Sequence, residues 1–286
     1  SSSSEWAIDG YVVEHRLGAG GSSRVYRARS RAGEAVALKL LAPNAELDDP
    51  RARDRMRREV AALARIAHPR VLPLLAHGED PELGPYLVTP LLVGRTLREH
   101  LAEWRPSPPA AIAVVAALAD AIAAVHAAGL VHRDLKPENV MCTDDGHLML
   151  IDLGLALGGG QTRYTEEGAI AGSAPYMAPE QIEGHEVTPA CDVWALGVLL
   201  HELVAGRRPF ERASVREEVA AILAGGPTPL DRVERRAGRA LAQLVTRCLA
   251  PDPAARFSSA AELAHVLALL ESGSTDATAT PVTSSE

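Results

Sequence analysis

The chain has 286 residues, with 29 Lys and Arg against 37 Asp and Glu, a formal charge of -8 and 47% apolar residues. This apolar content excludes a mainly disordered chain, the length suits one large domain or two lobes, and the acidic balance argues against nucleic acid as the principal partner. Cys142, Cys191 and Cys248 are widely spaced and odd in number, which gives neither a disulfide framework nor a zinc spacing and fits a reducing cytosolic setting.

Residues 1–9 begin with four serines, lack a basic or long apolar stretch, and are expected to be a flexible segment without a targeting signal. Tyr11–Leu17 is rich in β-formers, a glycine cluster follows, and Val25–Arg29 and Ala35–Leu41 flank the turn Ser30-Arg31-Ala32-Gly33, so three strands are expected. A helix is expected next. Asp49 suits an N-cap and Pro50 the first helical position, while Met56, Val60, Leu63 and Ala67 repeat at helical spacing up to His68-Pro69. Val71–Leu75 and Tyr86–Leu92 read as two more strands. From Thr96 the pattern predicts helices over 97–104, 108–128, 190–205, 214–224, 237–249 and 259–271. The apolar tract Ala110–Ala119 is shorter than the roughly 20 residues that span a bilayer and reads as a buried helix. A β-rich first third followed by helices predicts an α+β chain of two lobes, 10–92 and 93–271. Residues 272–286, drawn from small and polar types, read as a flexible tail or juxtamembrane linker.

Three constellations carry chemistry. Leu17-Gly18-Ala19-Gly20-Gly21-Ser22-Ser23-Arg24-Val25 lies between two predicted strands, where glycines let backbone N–H groups approach phosphate. A plain hairpin turn explains the same glycines, and the strand that follows argues against a dinucleotide fold, which needs a helix there. Val36-Ala37-Leu38-Lys39 places a lysine on a strand, where it could simply snorkel. Yet only Lys39 and Lys136 are Lys; the other 27 basic residues are Arg. A compact ammonium that must fit between phosphates resists replacement by the broad guanidinium fork, which tilts Lys39 toward function. Val131-His132-Arg133-Asp134-Leu135-Lys136-Pro137-Glu138-Asn139 then gathers a candidate base, the second lysine and one of the two asparagines, Asn44 being the other. The strand Leu148–Ile151 ends in Asp152-Leu153-Gly154, and an Asn and an Asp on neighbouring loops make a hard-oxygen pair suited to Mg²⁺.

With these motifs in order, the sequence resembles the protein kinase superfamily, specifically the bacterial Ser/Thr kinases that look like eukaryotic ones, from about Tyr11 to Leu270. Gly172-Ser173-Ala174-Pro175-Tyr176-Met177-Ala178-Pro179-Glu180, Asp192-Val193-Trp194 and Asp252-Pro253-Ala254-Ala255-Arg256 extend the resemblance. It implies the bilobal protein kinase fold, ATP with Mg²⁺ (Mn²⁺ as substitute), and transfer to protein Ser or Thr hydroxyls. It assigns Lys39 to the α- and β-phosphates with Glu59 as its partner on the helix that begins at Pro50. Asp134 orients the substrate hydroxyl, Lys136 neutralises the transferring group, and Asn139 and Asp152 hold the metal. ATP is expected against Leu17, Gly18, Gly20, Gly21, Ser22, Ser23, Val25, Ala37, Thr89, Pro90, Leu92 and Met141. Thr89 is the small gatekeeper that leaves a back pocket open, and Leu92 supplies the adenine-binding N–H that Pro90 lacks.

The resemblance also implies that Ser173 bridges Asp134 and Lys136, that Asp192 anchors the catalytic loop, and that Glu180 pairs with Arg256. Arg133 would receive a phosphate from the activation segment, with Thr162 and Thr165 as candidate acceptors and the arginines at 51, 53, 55, 57 and 58 as helpers. A solvated helix face explains those five arginines equally well. A kinase dimer for trans-autophosphorylation is expected, in a cytoplasmic setting, with a membrane tether only if a longer parent chain exists. The competing readings are a nucleotide-binding pseudokinase scaffold, which the presence of Lys39, Asp134, Asn139 and Asp152 opposes, and a small-molecule phosphotransferase, which Gly172–Glu180 opposes.

Overall fold

The computed structural model describes residues 6–19, 23–41, 50–152, 173–225 and 231–272. The first lobe is a six-stranded antiparallel sheet in the order β1-β2-β3-β4-β6-β5. Its strands are β1 Trp6–Ile8, β2 Tyr11–Ala19, β3 Ser23–Arg29, β4 Ala35–Leu41, β5 Ala76–Asp80 and β6 Gly84–Pro90. The helix α1, Pro50–Leu63, turns Met56 and Val60 onto Leu41 and Leu87 of this sheet. Asp49, the expected cap of α1, lies outside the described residues.

Val71–Leu75 is not a strand. Only Val71 makes an isolated bridge, to Leu150, while Leu72 and Leu74 face a cleft. Their apolarity therefore serves packing between the lobes, and the sheet edge is completed instead by β5, whose His77 and Glu79 are exposed. Beyond β6 a small sheet follows, with β7 Gly94–Thr96, β8 Val140–Thr143 and β9 Leu148–Leu150.

Helices build the second lobe: α2 Leu97–Glu103, α3 Pro108–Ala127, α4 Pro179–Ile182, α5 Ala190–Ala205, α6 Val215–Leu223, α7 Asp231–Ala237, α8 Arg239–Cys248 and α9 Ala260–Glu271. Local chemistry sets half of their starts. The Thr96 hydroxyl accepts from the Glu99 N–H while the Glu99 carboxylate accepts from the Thr96 N–H, a reciprocal cap. Ser107, Ser214 and Ser259 cap α3, α6 and α9 with the same kind of hydroxyl bond. Gly206, with φ +75°, ends α5 in the left-handed conformation that glycine adopts most cheaply.

Helix α5 is the centre of this lobe: every residue from Cys191 to Ala205 is buried. A helix apolar on all sides can only be satisfied by neighbours on all sides, and α3, α7, α8 and α9 supply them. At Gly197 the absence of a side chain allows α8 to approach, because a Cβ there would stand 2.4 Å from Cβ of Cys248. Among the described residues α3 alone is long and apolar enough to cross a membrane. Here its inner face, including Val115, Leu118 and Ile122, is wholly buried against its neighbours.

Candidate active site

A cleft of about 460 Å³ separates the two lobes. Leu17, Gly18 and Val25 from β2 and β3 form its roof, with Ala37 and Lys39 of β4 behind them. Thr89, Pro90 and Leu92 lie where the chain passes between the lobes, and Met141 and Ile151 rise from below. The strand register explains the grouping. Lys39 stands opposite Val25 on one side and Leu87 on the other, while Ala37 faces Thr89. Past Thr89 the cleft continues to Leu63, Leu72, Leu74 and Leu87, an apolar annex beside the small threonine. Ser23 departs from expectation: it opens β3 opposite Leu41 and does not line the cleft. Gly20, Gly21, Ser22, Thr162 and Thr165 lie outside the described residues.

The polar end of the cleft is built in two halves. In the lower half Lys136 Nζ donates to both carboxylate oxygens of Asp134, at 3.1 and 2.8 Å, and also to the Ser173 hydroxyl. Lys136 therefore stands between Ser173 and Asp134. The Asn139 amide donates to the Asp134 carbonyl at 2.7 Å and to its carboxylate at 3.0 Å. Only an NH₂ can face that pair of acceptors, so the amide oxygen of Asn139 is left to point elsewhere.

Beneath this cluster lies Asp192, on the first turn of α5. Its carboxylate accepts the backbone N–H of His132 and of Arg133, each at 2.9 Å, and contacts His126 Nε2 at 2.7 Å. Burial alone would push the Asp192 pKa up, but the His126 hydrogen bond and the backbone N–H donated by His132 outweigh it and hold the group below the ordinary carboxylate value. Arg133 adopts a left-handed φ of +68°, rare for a side chain of this size. It is clamped from both sides, since Gln181 Nε2 donates to its carbonyl at 2.8 Å. Such strain persists where surrounding bonds over-determine it. His132, fully buried, donates its own N–H to Asp192 and accepts the Asp134 N–H at Nδ1. Burial drives its pKa down and keeps the ring neutral. Farther down, Glu180 and Arg256 form a buried bidentate pair at 2.7 and 2.8 Å.

In the upper half the expected Lys39–Glu59 pair is absent. Lys39 Nζ instead meets Asp152 Oδ1 at 2.6 Å. Glu59 on α1 is half-buried, with one carboxylate oxygen wholly enclosed and without a hydrogen-bond partner. Burial raises its pKa, opposed by the charges of Arg133 and Arg55. The spacing that puts Glu59 on the inward side of α1 does not fix how closely that helix approaches β4, and Asp152 is the anion within reach of Lys39.

A group that sequence reading missed lies beside the lower half. Arg98 of α2 donates to Glu138 at 2.8 Å, to Glu202 at 2.7 Å and to the Tyr176 hydroxyl. Its partners are 40, 104 and 78 residues away in the chain, so no local pattern signals it.

The chain matches the family described as protein kinase domain over residues 11–268. It is 36% identical over 258 residues to serine/threonine-protein kinase PknD of Mycobacterium tuberculosis, covering 89% of this chain and 38% of that protein. With serine/threonine-protein kinase PknL of the same organism it shares 35% identity over 263 residues, 87% of this chain and 63% of that one. The chain thus spans less than two thirds of the length of these relatives. The crystal structure of the M. tuberculosis PknI kinase domain superposes with a TM-score of 0.72 at 28% identity, covering 94% of this chain and 99% of that one.

Proposed function

This chain belongs to the protein kinase family, and from that premise we propose that it transfers the γ-phosphate of ATP to Ser or Thr hydroxyls of proteins, its own activation segment included. One observation carries the reading: Asp134, Lys136, Asn139 and Ser173 form one hydrogen-bonded cluster that reaches the wall of an apolar cleft at Asn139, where Lys39 and Asp152 also lie. An apolar slot ending in paired cations and carboxylates suits a flat base joined to a polyphosphate.

In this reading the adenine lies between Ala37 and Met141, with the carbonyl of Pro90 and the N–H of Leu92 as its polar contacts. Lys39 holds the α- and β-phosphates. It is then shared between nucleotide and protein, which frees it from Asp152 and lets α1 bring Glu59 up to it. That movement relieves an enclosed carboxylate oxygen that now has no donor.

The acceptor hydroxyl approaches Asp134, which orients it and takes its proton. Lys136 stabilises the negative charge on the transferring group, and Ser173 keeps the Lys136 ammonium in place between donor and acceptor. Phosphoryl transfer asks little covalent chemistry of a protein, so positioning and charge neutralisation are its main contributions.

Among the described residues no group of three or more His, Cys, Asp or Glu is gathered as for a resident metal ion. Asn139 and Asp152 nevertheless offer hard oxygens on the wall of the cleft, and Mg²⁺ is commonly held by one or two protein oxygens plus substrate phosphates and water. These two residues fit that need, with Mn²⁺ as the substitute. The ion, when bound, supplies neutralisation of the phosphate oxygens.

Protein partners bearing Ser or Thr acceptors follow from this activity. Arg133 is proposed as the receptor of an activation-segment phosphate, delivered within a kinase dimer. A cytoplasmic setting is proposed for this domain, tethered to a membrane if a longer parent chain carries a span.

The test is transfer of labelled γ-phosphate to a generic protein substrate and to the chain itself. Wild type should label both, whereas Asp134→Asn and Lys39→Met should each lose on the order of 10²–10⁴-fold in rate. Equal labelling by all three overturns the reading in favour of a contaminating activity.

A further inference from the structure

The Arg98 cluster has more charge than a structural pin requires. One guanidinium faces two carboxylates, Glu138 and Glu202, together with the Tyr176 hydroxyl. Glu202 and Tyr176 are deep, whereas the side chains of Arg98 and Glu138 are 33% and 42% exposed. The second carboxylate oxygen of Glu138 is enclosed and has no hydrogen-bond partner.

Position ties the cluster to the reaction. Glu138 lies four residues beyond Asp134 in the same loop, and Tyr176 lies three beyond Ser173, whose hydroxyl is bonded to Lys136. The segments that deliver the reacting groups therefore also deliver two walls of the cradle.

Resting on the transfer function proposed above, we infer that Arg98 is a specificity-determining residue. Its guanidinium fills, from within the chain, an acidic cradle beside the acceptor hydroxyl, so that the enzyme asks for no basic residue in its substrate. Two carboxylates and a phenol oxygen around one planar fork are a guanidinium site, and the occupant is supplied by α2. With Arg98 gone, the same groups face an opening that an arginine of the substrate can enter.

The experiment measures kcat/KM for peptides with one Ser or Thr acceptor, in which Arg replaces Ala at each flanking position in turn. For wild type the Arg-to-Ala ratio should stay within about twofold of unity at every position, because the cradle is full. In Arg98→Ala it should rise about tenfold at one or two positions, the scale of one charged pair. Adding Glu138→Gln should return most of that gain.

Arg98→Ala leaves Glu202 buried without its cation, so Arg98→Lys is the companion variant. Its single ammonium keeps a charge against Glu202 and preserves the fold, yet cannot span Glu138 as well, and a smaller rise in the ratio is expected. Phosphate transfer with an unchanged ratio in the variants that fold overturns the inference, as does a wild type that already prefers Arg. A wild type that transfers no phosphate overturns the transfer reading itself and this assignment with it.

Discussion

The two halves of the cleft's polar end are held by different means. Below, Asp134, Lys136 and Asn139 sit on a loop whose backbone N–H groups are fixed to Asp192, and Asp192 belongs to a helix buried on every side. Above, Lys39 is on a strand, but its expected partner Glu59 is on α1, a helix that rests on the sheet through Met56 and Val60 and joins the main core at its last turn, through Ala62 and Leu63. The lower half already makes its internal hydrogen bonds, while the upper half pairs Lys39 with the carboxylate proposed for the metal. The lower half is thus tied to the buried core, while the upper half is the one expected to rearrange when Lys39 passes from Asp152 to the nucleotide.

The largest effect should come from breaking the lower support. Arg256 is fully buried, donates to Glu180 twice, and also donates to the carbonyls of Ala190, Ala250 and Pro251. Removing one member of such a pair leaves an uncompensated buried charge, so Arg256→Ala should lose about 3–5 kcal/mol in urea unfolding. A loss under about 1 kcal/mol would place the support elsewhere.

Next comes Asp192→Asn. The amide has one acceptor oxygen where the carboxylate has two, and its NH₂ would confront a backbone N–H or His126. Loosening the strained Arg133 backbone should misplace Asp134 and lower kcat on the order of 10²-fold, with KM for ATP nearly unchanged. A change confined to KM would contradict the division between the halves.

The smallest effect, and the most telling about the upper half, is that of Glu59→Gln. The folded-state pKa of Glu59 is raised, so ionising it on going to neutral pH costs folding free energy. This cost is absent below the ordinary glutamate range, grows as pH rises through it, and is complete above the folded-state pKa. Because Glu59 is only half-buried, solvent screening keeps the cost small. Glu59→Gln should therefore raise Tm of the nucleotide-free protein by roughly 1–2 °C at neutral pH, with the gain vanishing on acidification, while phosphate transfer falls. A variant destabilised at neutral pH would mean that Glu59 already has a partner.

How much of this was legible in the sequence follows the same division. The strands around the glycine cluster, the helix starts at serine caps and the buried character of α5 are written locally, in turn residues and apolar spacing. Lys39, Asp134, Asn139 and Asp152 stand out because Lys and Asn are scarce in this chain. Val71–Leu75 misleads because a strand needs an edge to pair with, and apolar spacing cannot distinguish a sheet edge from a cleft wall. Spacing puts Glu59 on α1 but says nothing of how far α1 stands from β4. Arg98 carried no signal, since its meaning comes from three residues brought together only by the fold.

The central claim, a preset lower half and an adjustable upper one, is tested most directly by hydrogen exchange with and without an ATP analogue and Mg²⁺. Residues 50–63 of α1 should gain protection as Glu59 is drawn toward Lys39, while residues 131–140, whose His132 and Arg133 N–H groups are already bonded to Asp192, should change little. Strong new protection in 131–140 with none in α1 would contradict it.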